Sequence, residues 1–201
     1  MIVAPGPILV VKLGGSLLDW PGWPARLRAF LAARPGRRAV VIVGGGRFAD
    51  ALRDLDRVHS LGEERAHVLA LHTLDLTAEV AATLLPGSLV ARTARGIEAA
   101  WAAGRTPILA PRAWFEREDG PLEPLPRTWA TTTDSLAARV GARLRAAELV
   151  LLKSCPLPPG VATWEAAAAL GLVDPVFPRV LAAGMTVELI DLRADAGGTV
   201  A

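Results

Sequence analysis

The chain has 201 residues, 52% hydrophobic and 21% charged, with a formal net charge of +2. This composition excludes a disordered chain, and the length allows one domain, or two closely fused lobes, to bury a sizeable core. No Lys/Arg run marks a nucleic-acid surface, no apolar run reaches the ~20 residues of a membrane span, and no basic-then-apolar leader opens the chain. Cys155 is the single cysteine, so no intrachain disulfide can form. The expectation is a soluble cytoplasmic protein with no nucleic-acid or membrane partner.

Ile8 to Lys12 reads as a short buried strand. Gly14-Gly15-Ser16 follows, and glycines there let the backbone turn tightly and approach a ligand. After the turn-rich link from Asp19 to Pro24, a helix runs to Ala33, with Pro24 at its start. Ala39 to Val43 is a second, wholly apolar strand, leading into Gly44-Gly45-Gly46 and a helix from about Arg47 to Arg57. The chain thus shows apolar strand, glycine turn and helix twice, a layout in which ligands bind at strand carboxyl ends.

Glu63 to Leu85 carries a long helical pattern. His67 and His72 lie five apart in it, the wrong spacing for a helical zinc pair, so core or subunit-contact histidines are expected and no metal ligands are assigned. Ser88 to Arg92 is a strand, Ile97 to Ala103 a helix, and Pro107 to Ala110 an edge-like strand, because proline cannot donate to a ladder. Pro111 to Arg127, rich in proline and acids, reads as a long loop, either a lid or a surface excursion.

Thr131-Thr132-Thr133-Asp134-Ser135 precedes an amphipathic helix from Leu136 to Ala147. Thr133 or Asp134 can cap that helix, and the hydroxyls and N–H groups of its first turn can face phosphate. Glu148 to Lys153 is the next strand, and Ser154 to Gly160 a proline-rich loop. Helices from Thr163 to Leu170 and Pro178 to Ala183, then a strand from Thr186 to Ile190, complete the chain. Asp174 is either a turn residue or a neighbour of a nucleotide.

Of 22 basic residues only two are lysines, Lys12 and Lys153, and each ends an apolar strand. A lysine ammonium is a compact point charge suited to phosphate. The Walker A, GxGxxG and GxSxG patterns are absent.

Lys12-Leu13-Gly14-Gly15-Ser16, Gly44-Gly45-Gly46, Thr132-Thr133-Asp134-Ser135 and Leu151-Leu152-Lys153-Ser154 occur in the order found in the amino acid kinase superfamily, and the chain resembles that superfamily over about three quarters of its length. Gly44 to Asp50 and Trp129 are similar to a short subgroup that includes kinases of methanofuran biosynthesis. The resemblance implies an α/β fold, a three-layer αβα sandwich with a mostly parallel central sheet. It implies a single kinase domain over 1–201, with an acceptor-binding lobe over about 1–127 and a nucleotide-binding lobe over about 128–201.

It further implies ATP and Mg2+ as cofactors, the metal bridging the ATP phosphates. Lys12 and Lys153 would neutralise the transferring phosphoryl group and Asp134 would hold both lysines. Gly14, Gly15, Ser16, Thr132, Thr133, Ser135 and Ser154 would bind ATP phosphates. Gly44, Gly45, Gly46 and Arg47 would bind the acceptor. N–H groups of Gly14, Gly15, Gly44 and Gly45 would contact phosphate oxygens. The implied acceptor is a small phosphate monoester, (5-(aminomethyl)furan-3-yl)methyl phosphate, converted to the diphosphate. A carboxylate, a carbamate, another phosphate, or mere binding of a nucleotide or oxyanion are the alternatives. Isopentenyl phosphate kinases place a histidine soon after the second glycine turn, which is absent here. Asp50 would meet an acceptor amine or lie on a polar helix face. A homo-oligomer is expected.

Overall fold

The computed structural model describes residues 6–117 and 123–194. Six strands form one sheet, in the order β3-β4-β2-β1-β5-β6, and every pairing is parallel. They are β1 (Ile8–Leu13), β2 (Arg38–Val43), β3 (Ser88–Ala91), β4 (Thr106–Leu109), β5 (Glu148–Lys153) and β6 (Thr186–Asp191). A parallel sheet is covered on both faces, so its central strands are apolar on both. Leu9, Val10, Val11, Val40, Val41, Ile42, Leu149, Val150, Leu151 and Leu152 are accordingly inaccessible to solvent.

Alternation along these strands divides the core in two. Leu9, Val11 and Leu13 of β1 and Val150 and Leu152 of β5 face one layer, with α1 (Trp23–Ala32) and the C-terminal half of α3 (Glu63–Leu84). Val10, Leu149 and Leu151 face the other, with α4 (Ala94–Ala102), α6 (Thr133–Leu144), α7 (Trp164–Ala169) and α8 (Phe177–Val180). The result is the expected three-layer αβα sandwich.

Two details differ from expectation. β4 is an interior strand, between β3 and β2. Its ladder to β2 starts only at Ile108, so Pro107 sits ahead of the pairing on that side. The expected loop after β4 begins as a helix, α5 (Pro111–Arg117): Pro111 occupies its first position, where the missing N–H is no loss. Residues 118–122, in the middle of that expected loop, lie outside the described residues.

α2 (Gly46–His59) buries no residue completely and packs on α3 at the rim of the sandwich. At 22 residues, about 33 Å, α3 outruns the sheet. Its C-terminal half packs Ala78 and Ala81 on the strands, while Leu71 and Leu74 join Leu136 of α6 in a separate cluster. Beyond the strand ends, α2, α3 and α6 therefore wall a space over the carboxyl edge of the sheet.

The two glycine turns touch backbone to backbone at that edge. A Cβ on Gly44 would lie 2.6 Å from Gly15 N and 3.1 Å from Gly15 Cα, and a Cβ on Gly15 would lie 2.3 Å from Gly46 N. Backbone atoms cannot move aside as a side-chain tip can. Gly44→Ala is expected to lower unfolding stability in denaturant titration by about 1–3 kcal/mol. Gly96→Ala, on α4, meets nothing closer than 3.5 Å and is expected to raise it by about 0.5–1 kcal/mol.

Candidate active site

Period-two alternation places Lys12 on the same face of β1 as Val10, and Lys153 on the same face of β5 as Leu149 and Leu151. β1 and β5 are neighbours, with Lys12 opposite Leu151. Lysines 141 positions apart in sequence therefore project from one sheet edge toward one helix, α6. Asp134, in the first turn of α6, meets both: Oδ1 lies 2.9 Å from Lys12 Nζ and Oδ2 lies 2.7 Å from Lys153 Nζ. All three sit at the edge of a cavity of about 370 Å³.

Asp134 is 3% exposed and Lys12 6%. Burial opposes the charge on Asp134, but the neighbouring ammonium groups of Lys12 and Lys153 outweigh it and hold the carboxyl below its ordinary range. The helix N-terminus adds a further favourable field. Lys153 goes the other way: burial, then the charge of Lys12, lower it to about 8 despite the pull of Asp134. Two ammonium groups against one carboxylate leave one net positive charge at the cavity edge. That arrangement favours an incoming anion.

The remaining expected residues divide by what their polar groups already do. Gly14 N–H donates to Leu152 O at 2.8 Å and Gly44 N–H to Leu13 O at 2.8 Å. These amides extend the strand ladders, which corrects the expectation that they contact phosphate. Gly15 N–H and Gly45 N–H have no acceptor among the described residues, and both glycines line the cavity. Gly46, at φ +51°, turns the chain into α2 in a conformation glycine tolerates best. Ser16 lines the cavity, and its Oγ lies 2.9 Å from Ser154 Oγ, tying the first turn to the end of β5.

Ser135 departs from expectation, and Thr132, although it lines the cavity, has its hydroxyl and amide taken up by Asp174. Its Oδ2 accepts from Thr132 N (3.0 Å), Thr132 Oγ1 (2.8 Å) and Ser135 N (3.1 Å). Its Oδ1 accepts from Ser135 Oγ, Val176 N and Phe177 N. Ser135 is fully buried and does not reach the cavity. The N-cap of α6 is Thr132, whose Oγ1 accepts from Asp134 N, rather than Thr133 or Asp134. Thr133 does line the cavity. Asp174 thus resolves as the residue that clamps the start of α6, and it positions Asp134 through that helix.

Across the cavity, Arg47, Asp50 and Arg53 of α2 face Ala70, Leu71, Thr73 and Leu74 of α3. Arg47 Nε pairs with Asp19 Oδ1 at 2.8 Å, yet its side chain is 82% exposed, so the pair is weak and open to exchange. Trp129 donates from Nε1 to Asp56 Oδ2 at 2.7 Å, which pins its ring beside α2. His67, one of the expected core histidines, is a buried part of the wall, with Nδ1 3.3 Å from Thr128 O. Burial, and more weakly the charge of Arg127, lower its pKa, against the pull of the Thr128 carbonyl. His72 is exposed, on another side of α3.

The only two lysines of the chain give a direct test of this electrostatic picture. In protein carrying 13Cε-lysine, one of the two NMR signals is expected to titrate near pH 8, and mutation assigns it to Lys153. Between about pH 8 and its ordinary pKa the unfolded chain holds the Lys153 proton that the native chain has released. The cost of burying that charge is present in full below pH 8 and is relieved as pH rises through the window. Removing the clamp tests the rest. Asp174→Ala orphans buried donors and should cost about 3–5 kcal/mol in denaturant unfolding, with Asp174→Asn costing less.

The sequence model of the Amino acid kinase family matches residues 7–157, three quarters of the chain. One curated relative, the [5-(aminomethyl)furan-3-yl]methyl phosphate kinase of Methanocaldococcus jannaschii, is 29% identical over 144 residues, covering 71% of this chain and 63% of that protein. The match thus spans less than two thirds of the relative's length. Among solved structures, UMP kinase from Bacillus anthracis superposes with a TM-score of 0.65 at 11% identity, covering 96% of this chain and 90% of that one. Uridylate kinase from Archaeoglobus fulgidus gives 0.63 at 15%, covering 91% and 90%, and aspartate kinase from Synechocystis 0.61 at 16%, covering 94% and 39%. At such identities these structures establish the shared fold, and with the family match over most of its length the chain belongs to the amino acid kinase family.

Proposed function

We propose that the protein is an ATP-dependent kinase that phosphorylates a small phosphate monoester, [5-(aminomethyl)furan-3-yl]methyl phosphate, to the diphosphate. The observation that carries the kinase reading is the buried Lys12–Asp134–Lys153 set at the cavity edge, with its one net positive charge. The acceptor comes from the relative named for that reaction. In this reading residues of about 1–127 hold the acceptor and those of about 128–201 hold the nucleotide, in a soluble, cytoplasmic enzyme. No helix among the described residues is long and apolar enough to cross a membrane.

Phosphoryl transfer asks little covalent work of a protein; positioning and charge stabilisation supply most of the acceleration. Lys12 and Lys153 would meet the oxygens of the phosphoryl group in flight. Asp134 keeps the two ammonium groups together despite their mutual repulsion. Gly15 N–H and Gly45 N–H, from turns in backbone contact, would donate to phosphate oxygens from the sheet edge. Magnesium, carried by the nucleotide phosphates, would supply further charge neutralisation. The fit to a polyphosphate rests on this donor set: two cations and two available amides, with the one carboxylate between them already ion-paired to both lysines.

An acceptor that is itself a phosphate needs no strong general base, and its oxygen is nucleophilic as it stands. Arg47, exposed at the second glycine turn and only loosely held by Asp19, would take the acceptor's phosphate.

The test is ADP formation by purified protein with ATP, magnesium and a panel of phosphate monoesters that includes the furan compound. Lys12→Ala and Lys153→Ala are each expected to lower kcat by about 10²–10³-fold while the circular dichroism spectrum is kept. Wild-type kcat/KM should decline above about pH 8 as Lys153 loses its proton. ADP release that ignores the acceptor, or that survives Lys12→Ala, would sink the assignment.

A further inference from the structure

The acceptor side of the cavity carries a charge order that a site for phosphates alone does not call for. Arg47, Asp50 and Arg53 lie three residues apart on α2 and all line the cavity. One face of this helix therefore presents plus, minus, plus, with about 4.5 Å of axial rise between neighbours. Asp19, the other acid on this wall, is already paired with Arg47 at 2.8 Å. Asp50 is less engaged. Its Oδ1 meets Arg53 Nη1 only at 3.5 Å, its Oδ2 has no partner among the described residues, and the side chain is 69% exposed. Arg53 is itself drawn over the Trp129 ring, 4.9 Å from its centroid.

A carboxylate held only by Arg53, at 3.5 Å, repels an anionic substrate unless something cationic comes with that substrate. Opposite α2 the α3 wall is mostly apolar, from Ala70, Leu71 and Leu74, with Thr73 and the His67 ring, held at Thr128 O, as its polar groups. Trp129, fixed by Asp56, adds an aromatic surface at one end. The space suits a flat, apolar body with a phosphate at the Arg47 end and a positive charge one step along α2.

We propose that Asp50 receives a protonated amine of the acceptor, so that the site selects phosphate monoesters carrying an ammonium group. This rests on the proposed function for the phosphate end and adds the residue that reads the other end. Asp50 acts on acceptor binding, and its loss falls on the acceptor's KM and leaves the KM of ATP alone.

The experiment compares [5-(aminomethyl)furan-3-yl]methyl phosphate with furan-3-ylmethyl phosphate, which lacks the amine. Calorimetric binding to wild type and Asp50→Asn is measured alongside ATP-dependent turnover. Wild type should bind the amine compound about 10- to 100-fold more tightly, the effect of one charge-assisted hydrogen bond. Asp50→Asn should remove that preference with affinity for the amine-free compound unchanged. Asp50→Glu should restore part of it. Equal binding of both compounds by wild type, or a preference that survives Asp50→Asn, overturns the role of Asp50. A preference that depends on Asp50 without ADP formation upholds that role and overturns the kinase assignment instead.

Discussion

One buried carboxylate holds this site together. Asp134 alone in that position would carry a heavy desolvation penalty, and a buried ammonium without it would carry one too. Together the three groups offset one another through two ion pairs, at 2.9 and 2.7 Å, of which the one from Lys153 is also a hydrogen bond, while Asp134 Oδ1 accepts none from the described residues. The balance remains incomplete, because two positive charges face one negative charge. Lys153 shows the residual strain as a pKa lowered to about 8 by burial and by Lys12. An anion arriving at the cavity relieves that strain.

The fold maintains this arrangement by means that do not touch the ligand. The β1–β5 pairing puts both lysines on one face, and any register slip of one residue would send a lysine into the opposite apolar layer. α6 brings Asp134 to them, and Asp174 fixes where α6 starts by accepting six hydrogen bonds, from two hydroxyls and four backbone amides. The glycine turns abut so closely that β1 and β2 must present their carboxyl ends together. Charge, helix start and turn contact are thus three constraints converging on the same few ångströms.

Much of this was legible in the sequence, for physical reasons. Strands buried on both faces are continuous apolar runs, so β1, β2 and β5 stood out. Scarcity made the two lysines conspicuous against 20 arginines. Their meeting with Asp134 rested on the family resemblance, because strand adjacency between residues near 10 and near 150 leaves no local mark. Asp174 was ambiguous for a related cause: it acts on a helix start about 40 positions earlier, and its own surroundings read as a turn. The Gly14 and Gly44 amides looked available because sequence does not say which N–H groups a strand ladder consumes. Pro107 suggested an edge, since the rule against proline in interior strands does not reveal that the ladder to β2 begins one residue later. His67 became cavity wall because α3 extends past the sheet, a consequence of helix length against strand length rather than of the residue itself.

In the proposed reaction this cationic edge carries a phosphoryl group onto another phosphate. Phosphorus NMR of the purified protein with ATP, magnesium and [5-(aminomethyl)furan-3-yl]methyl phosphate reads that bond directly. The account predicts loss of the monoester singlet and growth of two mutually coupled doublets from a diphosphate ester, in step with ADP. ADP accumulating beside an unchanged monoester singlet, with free inorganic phosphate rising instead, would contradict it.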